Sequence, residues 1–173
     1  SAMRTRRMPS GDCVMPAKIA YVYWDACVFL DYFNARPDRV KTLDDMLTEI
    51  ANDTHRKIVT SVLSITETAF VQSEKSGAAP DPEIERKLDN FWNNDQIIEL
   101  VDIHSILAFE ARRYIRQAIS EQYSLKAADA IHLASATWVG VGEFHTYDSG
   151  LEKYASITGL TICQPYTPNP RLL

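Results

Sequence analysis

Six consecutive residues, Ile19-Ala20-Tyr21-Val22-Tyr23-Trp24, carry no charge and are rich in aromatic and β-branched side chains. A run this short and this continuously apolar reads as a strand buried on both faces, the kind a parallel sheet uses. It stops abruptly at Asp25. Similar β-prone runs recur at 57–62, 96–101, 143–146 and 160–163. Helix signals separate them. Val28 to Phe33 suits a helix that halts before Pro37. Val40, Leu43, Met46, Leu47 and Ile50 mark an amphipathic helix. Pro82 opens a helix reaching Trp92, and Ile103 to Tyr123 forms a long one. Strands alternating with helices indicate an α/β sandwich around a parallel sheet. Right-handed crossovers then align the C-terminal ends of the strands along one edge.

A second stretch bears on what that edge does. In Lys126-Ala127-Ala128-Asp129-Ala130-Ile131-His132-Leu133-Ala134 a single carboxylate is surrounded by small and apolar residues. Alanine favours helix, and helical spacing puts Asp129 on a face with Leu125, His132, Leu133 and Ala136. Either Asp129 lies at the helix edge in solvent, or it is covered and must be hydrogen-bonded, paired or bound to a metal. Asp25 and Asp148 each follow a strand directly, the position where open α/β sheets place ligand-binding groups. Each also suits an N-cap, and a capping Asp can bind metal. Glu67, three residues after Ser64, fits a capping box. His132 reads either as a satisfied core histidine or as a partner of a carboxylate or substrate, and Cys27 reads as a small buried hydrophobe.

Four carboxylates gathered without a cation would repel, and some would stay protonated. A hard divalent ion with oxygen ligands removes that conflict and can activate water for phosphodiester hydrolysis. No Ser–His–Asp grouping or phosphate-cradling glycine loop competes with this chemistry. The net charge of −5 argues against holding nucleic acid by bulk positive charge. Arg112, Arg113 and Arg116 form the best basic cluster in the folded part, and such clusters are most often solvated faces paired with acids such as Glu110.

The order of these motifs resembles the PIN-domain nucleases, with size and order closest to the VapC-type toxins of toxin–antitoxin pairs. The resemblance covers residues 19–163. It rests on the strand ending in Asp25, Ser64-Ile65-Thr66-Glu67, the Lys126–Ala134 segment and His145-Thr146-Tyr147-Asp148. It implies a three-layer α/β/α sandwich with a five-stranded parallel sheet and Mg²⁺- or Mn²⁺-dependent cleavage of RNA. By the same resemblance Asp25, Glu67, Asp129 and Asp148 are the catalytic and metal-binding quartet, and Thr146 is a supporting hydroxyl. A cognate antitoxin and a homodimer are implied as partners. The pattern departs from the family at Ala26 and Cys27, where a small hydroxyl residue and then Asn or Ser are common. The hydrogen bonds those residues would supply are expected to be missing. A binding module on the same fold, with weak or no catalysis, is the alternative. A haloacid-dehalogenase-type phosphatase ranks low, because it wants a second aspartate where Cys27 stands.

Residues 1–17 read as a flexible arm that begins with a cloning scar, Ser1-Ala2-Met3, before a native Met3. Residues 18–164 form the nuclease-like domain, and 165–173 a proline-rich, frayed tail. Cys13, Cys27 and Cys163 form neither a zinc spacing nor a disulfide framework. No apolar run approaches the roughly 20 residues of a membrane span. A cytoplasmic protein with no membrane partner is therefore expected.

Overall fold

The computed structural model describes residues 19–75 and 79–167. The expected arm at 1–17 and the tail beyond Thr167 lie outside the described residues. Five strands form one parallel sheet: β1 (Ala20–Trp24), β2 (Arg56–Ser61), β3 (Ile98–Val101), β4 (Glu143–His145) and β5 (Thr161–Cys163), in the order β3-β2-β1-β4-β5. The first strand made is thus the central one. The chain builds outward from β1 to β3, then crosses back to place β4 on its other side. The crevice between β1 and β4 is the point where the winding reverses, and ligands in open α/β sheets bind outside the strand ends there.

Two helical layers cover the sheet. Alternation along β1 sends Tyr23 to one face and Trp24 to the other, and both are fully buried. Trp24 packs with Val28 and Phe29 of α1 (Ala26–Phe33) and with Leu43, Met46, Leu47 and Ile50 of α2 (Val40–Ala51). After β2 come two short helices, α3 (Leu63–Glu67) and α4 (Gln72–Lys75), and then α5 (Pro82–Trp92), whose Phe91 and Trp92 pack against the same layer. Tyr23 stacks on Phe144 at 4.9 Å. It joins Leu107, Ala111 and Tyr114 of α6 (Ser105–Ser120) and Ala130, Leu133 and Ala134 of α7 (Ala127–Val139). Alanines on α7 let it approach both α6 and the sheet closely. The helix ends at Gly140, whose φ of 74° closes it in the left-handed conformation that glycine adopts without strain. A 3₁₀ turn (Ser149–Tyr154) and α8 (Ala155–Thr158) lead into β5. The expected three-layer α/β/α sandwich is the observed architecture.

Two local expectations change. No capping box forms at Ser64. The N-cap of α3 is Val62, without a side-chain cap, while Ser61 Oγ accepts from Leu63 N at 3.2 Å. Ser64 is buried and its hydroxyl meets Thr60 Oγ1 at 2.7 Å, which leaves Glu67 free for a distant partner. The start of the tail is docked rather than frayed: Pro165 is buried, and Tyr166 donates its hydroxyl to Glu143 Oε1 at 2.8 Å.

Candidate active site at the carboxyl edge of the sheet

Asp25 lies at the first position past β1, with a backbone N–H donated to His145 O of β4. It caps α1, as one of its two expected roles requires: Oδ1 accepts from Cys27 N at 3.1 Å and Val28 N at 3.4 Å. The residue is only 6% exposed. Burial pushes its carboxyl above the ordinary value, while hydrogen bonds from Cys27 and Thr146 and the neighbouring His132 pull it back. A carboxylate made expensive to ionise at the mouth of a sheet is a functional-site signature.

Asp129 sits in the first turn of α7 and is half-buried, between the solvent-exposed and the covered reading. Burial raises its carboxyl above the usual range. Lys126 and His132 oppose that, and the charges of Asp148 and Asp25 add to it. The last two effects tie three of the four expected acids into one electrostatic neighbourhood. Asp148 follows β4 on the exposed side of that edge and caps the 3₁₀ turn, with Oδ1 accepting from Gly150 N at 2.8 Å. A Cβ at Gly150 would lie 2.9 Å from that oxygen, so a larger residue there would make the Asp148 carboxylate shift. Arg39 anchors the loop before Asp148. Its guanidinium lies 3.9 Å over the Tyr147 ring and pairs with Asp31 of α1.

Glu67 enters from α3 through a connection invisible in the sequence. His132 Nε2 and Glu67 Oε2 are 2.6 Å apart, and His132 Nδ1 lies 2.8 Å from the Tyr23 hydroxyl. That hydroxyl in turn accepts from Ser61 N at 3.0 Å. One proton arrangement satisfies every group: Ser61 N–H donates to Tyr23, Tyr23 O–H to Nδ1, and Nε2–H to the glutamate. His132, 3% exposed, is therefore both a satisfied core histidine and a carboxylate partner. Its i, i+3 spacing from Asp129 was the one sequence signal available.

Cys27 corrects another expectation. Its thiol is not a mere hydrophobe. Sγ donates to Asp25 Oδ1 at 2.8 Å, accepts from Tyr147 N at 3.2 Å and meets Thr146 Oγ1 at 3.4 Å. Thr146, buried, also accepts from Asp148 N at 2.9 Å. Sulfur thus supplies the link between the first and last acids that the departure from the family pattern was expected to remove. Burial, and then the adjacent Asp25 charge, push the thiol up to about 12, so it stays protonated and can donate.

The donor set is all carboxylate oxygen, the set magnesium and manganese prefer. The raised carboxyls of Asp25 and Asp129 are the strain such a cation relieves. Among the described residues, no three of the four acids bring one ligand atom each within 4.8 Å of the others. They line an edge rather than close a cage, which suits a cation held by one or two carboxylates and several waters.

The family profile described as "PIN domain" matches residues 22–157. The fold is similar to that of VapBC2 from Rickettsia felis bound to a DNA fragment from its promoter, with a TM-score of 0.62, 16% identity, and coverage of 82% of this chain and 96% of that one. It is also similar to DNA-bound VapBC from Salmonella typhimurium (TM-score 0.60, 12% identity, 83% and 97% covered). FitAcB from Neisseria gonorrhoeae is a third (TM-score 0.55, 15% identity, 83% and 97% covered). No curated protein sequence matches the chain. Among the described residues, no helix is long and apolar enough to cross a membrane.

Proposed function

The chain belongs to the PIN-domain family, and from that premise we propose that it is a metal-dependent endoribonuclease, the toxin of a toxin–antitoxin pair. The observation that carries this reading is the placement of Asp25 and Asp148 past the ends of β1 and β4, at the crevice where the winding reverses, with Asp129 close enough for both charges to raise its carboxyl. Those three residues would hold a magnesium or manganese ion, directly or through water, with Glu67 as a fourth oxygen donor or an orienter of water. When bound, the cation supplies charge neutralisation and lowers the pKa of water at the scissile phosphate.

The chain's own residues do the rest. Asp25 is fixed by the first turn of α1 and by the Cys27 thiol, so its oxygens arrive pre-oriented. Glu67 is fixed by Nε2 of His132, which restricts it to one direction from which to accept a proton from water. Asp148 stays near solvent, at the side from which an RNA strand would enter. The likeness of the fold to the solved VapBC and FitAcB structures supports an antitoxin partner, and a homodimer is part of the same proposal.

Purified protein incubated with single-stranded RNA and Mn²⁺ is expected to cleave it, with chelator abolishing the reaction. Asp129→Asn is expected to lower the rate by about 10²-fold or more while the far-ultraviolet circular dichroism stays native. Cleavage unchanged in that variant overturns the assignment. Calorimetric Mn²⁺ binding without any cleavage favours a binding module on this fold.

A further inference from the structure

We propose that Glu143, His145 and Cys163 form a second metal site, of the zinc class, that clips the edge strand β5 and the C-terminal segment onto β4. It does not rest on the nuclease reading, since it uses different residues and a different kind of donor. The parallel register creates it. His145 lies directly opposite Cys163, and Glu143 lies two residues earlier on the same face of β4. One ligand atom from each of the three falls within 4.8 Å of the other two, the only such group among the described residues. Carboxylate, imidazole and thiol together make the mixed O/N/S set that zinc accepts, with water in the fourth tetrahedral position. Magnesium, which favours oxygen throughout, is poorly served by it.

Two further observations point to a ligand here. His145 is 2% exposed, and its Nε2 meets Glu143 Oε2 at 2.8 Å, so the two donors already converge. Tyr166 then closes over them, its hydroxyl on Glu143 Oε1 and its ring 5.8 Å from the imidazole. That contact orients the carboxylate from outside, as second-layer partners of metal ligands do. Binding is proton-balanced. Cys163 binds as the thiolate and releases its proton to solvent. Neutral His145 binds through Nε2, where the cation replaces the hydrogen bond to Glu143, and its proton sits on Nδ1.

The test uses the full chain, stripped with chelator and titrated with Co²⁺ as a spectroscopic probe. Wild type and Asp25→Asn are expected to develop a near-ultraviolet thiolate-to-cobalt absorption at one equivalent. Zn²⁺ should erase it, and excess Mg²⁺ should not. Cys163→Ser is expected to lose the band, and Cys27→Ser to retain it. No band in folded wild type, or a band surviving in folded Cys163→Ser, overturns the proposal. Should Cys163→Ser not fold, alkylation of wild type followed by mass spectrometry decides the matter. Zn²⁺ at about ten times its Kd is expected to slow modification of Cys163 roughly tenfold, and equal rates with Zn²⁺ and Mg²⁺ count against the site.

Discussion

Two histidines on opposite faces of the sheet are buried almost equally, and each meets a glutamate through Nε2. His132 Nδ1 also accepts a hydrogen bond from the Tyr23 hydroxyl, so the ring is a fixed strut between a strand and Glu67. His145 has nothing on its second nitrogen. Burial alone therefore says little about what a histidine does. The number of satisfied nitrogens separates the histidine held at both ends from the one held at one end only.

His132→Leu is the sharpest way to break this contrast. It leaves the Tyr23 hydroxyl short of an acceptor and releases Glu67. A loss of about 2–4 kcal/mol is expected, which in a domain of this size lowers Tm by several degrees. RNA cleavage should fall alongside it. Thermal melting that matches wild type would remove the strut. Tyr23→Phe keeps the ring stacked on Phe144 but strips the hydroxyl, leaving Ser61 N–H and Nδ1 unpartnered. About 1–2 kcal/mol should be lost in chemical denaturation, with the fold intact.

Asp25 offers a test by pH. Its carboxyl is raised in the native state, so the stability linked to its protonation is fully present below the ordinary Asp value. That stability is lost as pH rises through the native value. In metal-free solution at neutral pH, Asp25→Asn is therefore expected to melt slightly above wild type. The difference should shrink as the solution is acidified, and added Mn²⁺ should raise the Tm of wild type alone. A variant that melts below wild type at every pH would mean that the cap matters more than the charge. His145→Leu gives the smallest effect. It deletes one hydrogen bond together with an unsatisfied nitrogen. In chelator its stability should stay within about 1 kcal/mol of wild type, as measured by denaturant midpoint. A loss as large as that of His132→Leu would erase the distinction between the two.

Much of the fold could be read from the chain because it is written locally. The run before Asp25 and the proline at 82 mark element boundaries within a residue or two of those observed, β1 at Ala20–Trp24 and α5 at Pro82–Trp92. The candidate acids were legible for the same reason, since a carboxylate at the end of an apolar strand stands out. Their partners were not. Glu67 finds His132 across 65 positions, and His132 finds Tyr23 across 109. Without those contacts, Ser64 and Glu67 looked like a capping box, because short-range spacing was the only information present. Cys27 reads as a hydrophobe for a related reason: its role depends on Thr146 and Tyr147, which reach it only through the pairing of β1 with β4.

The placement of β1 has a consequence for the order of assembly. Its pairing with β2 and β3 needs only the chain up to Val101, but its second flank stays open until Glu143–His145 has been synthesised. A growing polypeptide would hold Asp25 and Glu67 in a half-built sheet with a bare, apolar border, still lacking Asp129 and Asp148. Such a border invites pairing with foreign strands. Until β4 is made, such a chain carries only two of its four candidate acids, and its exposed border is open longest at that stage.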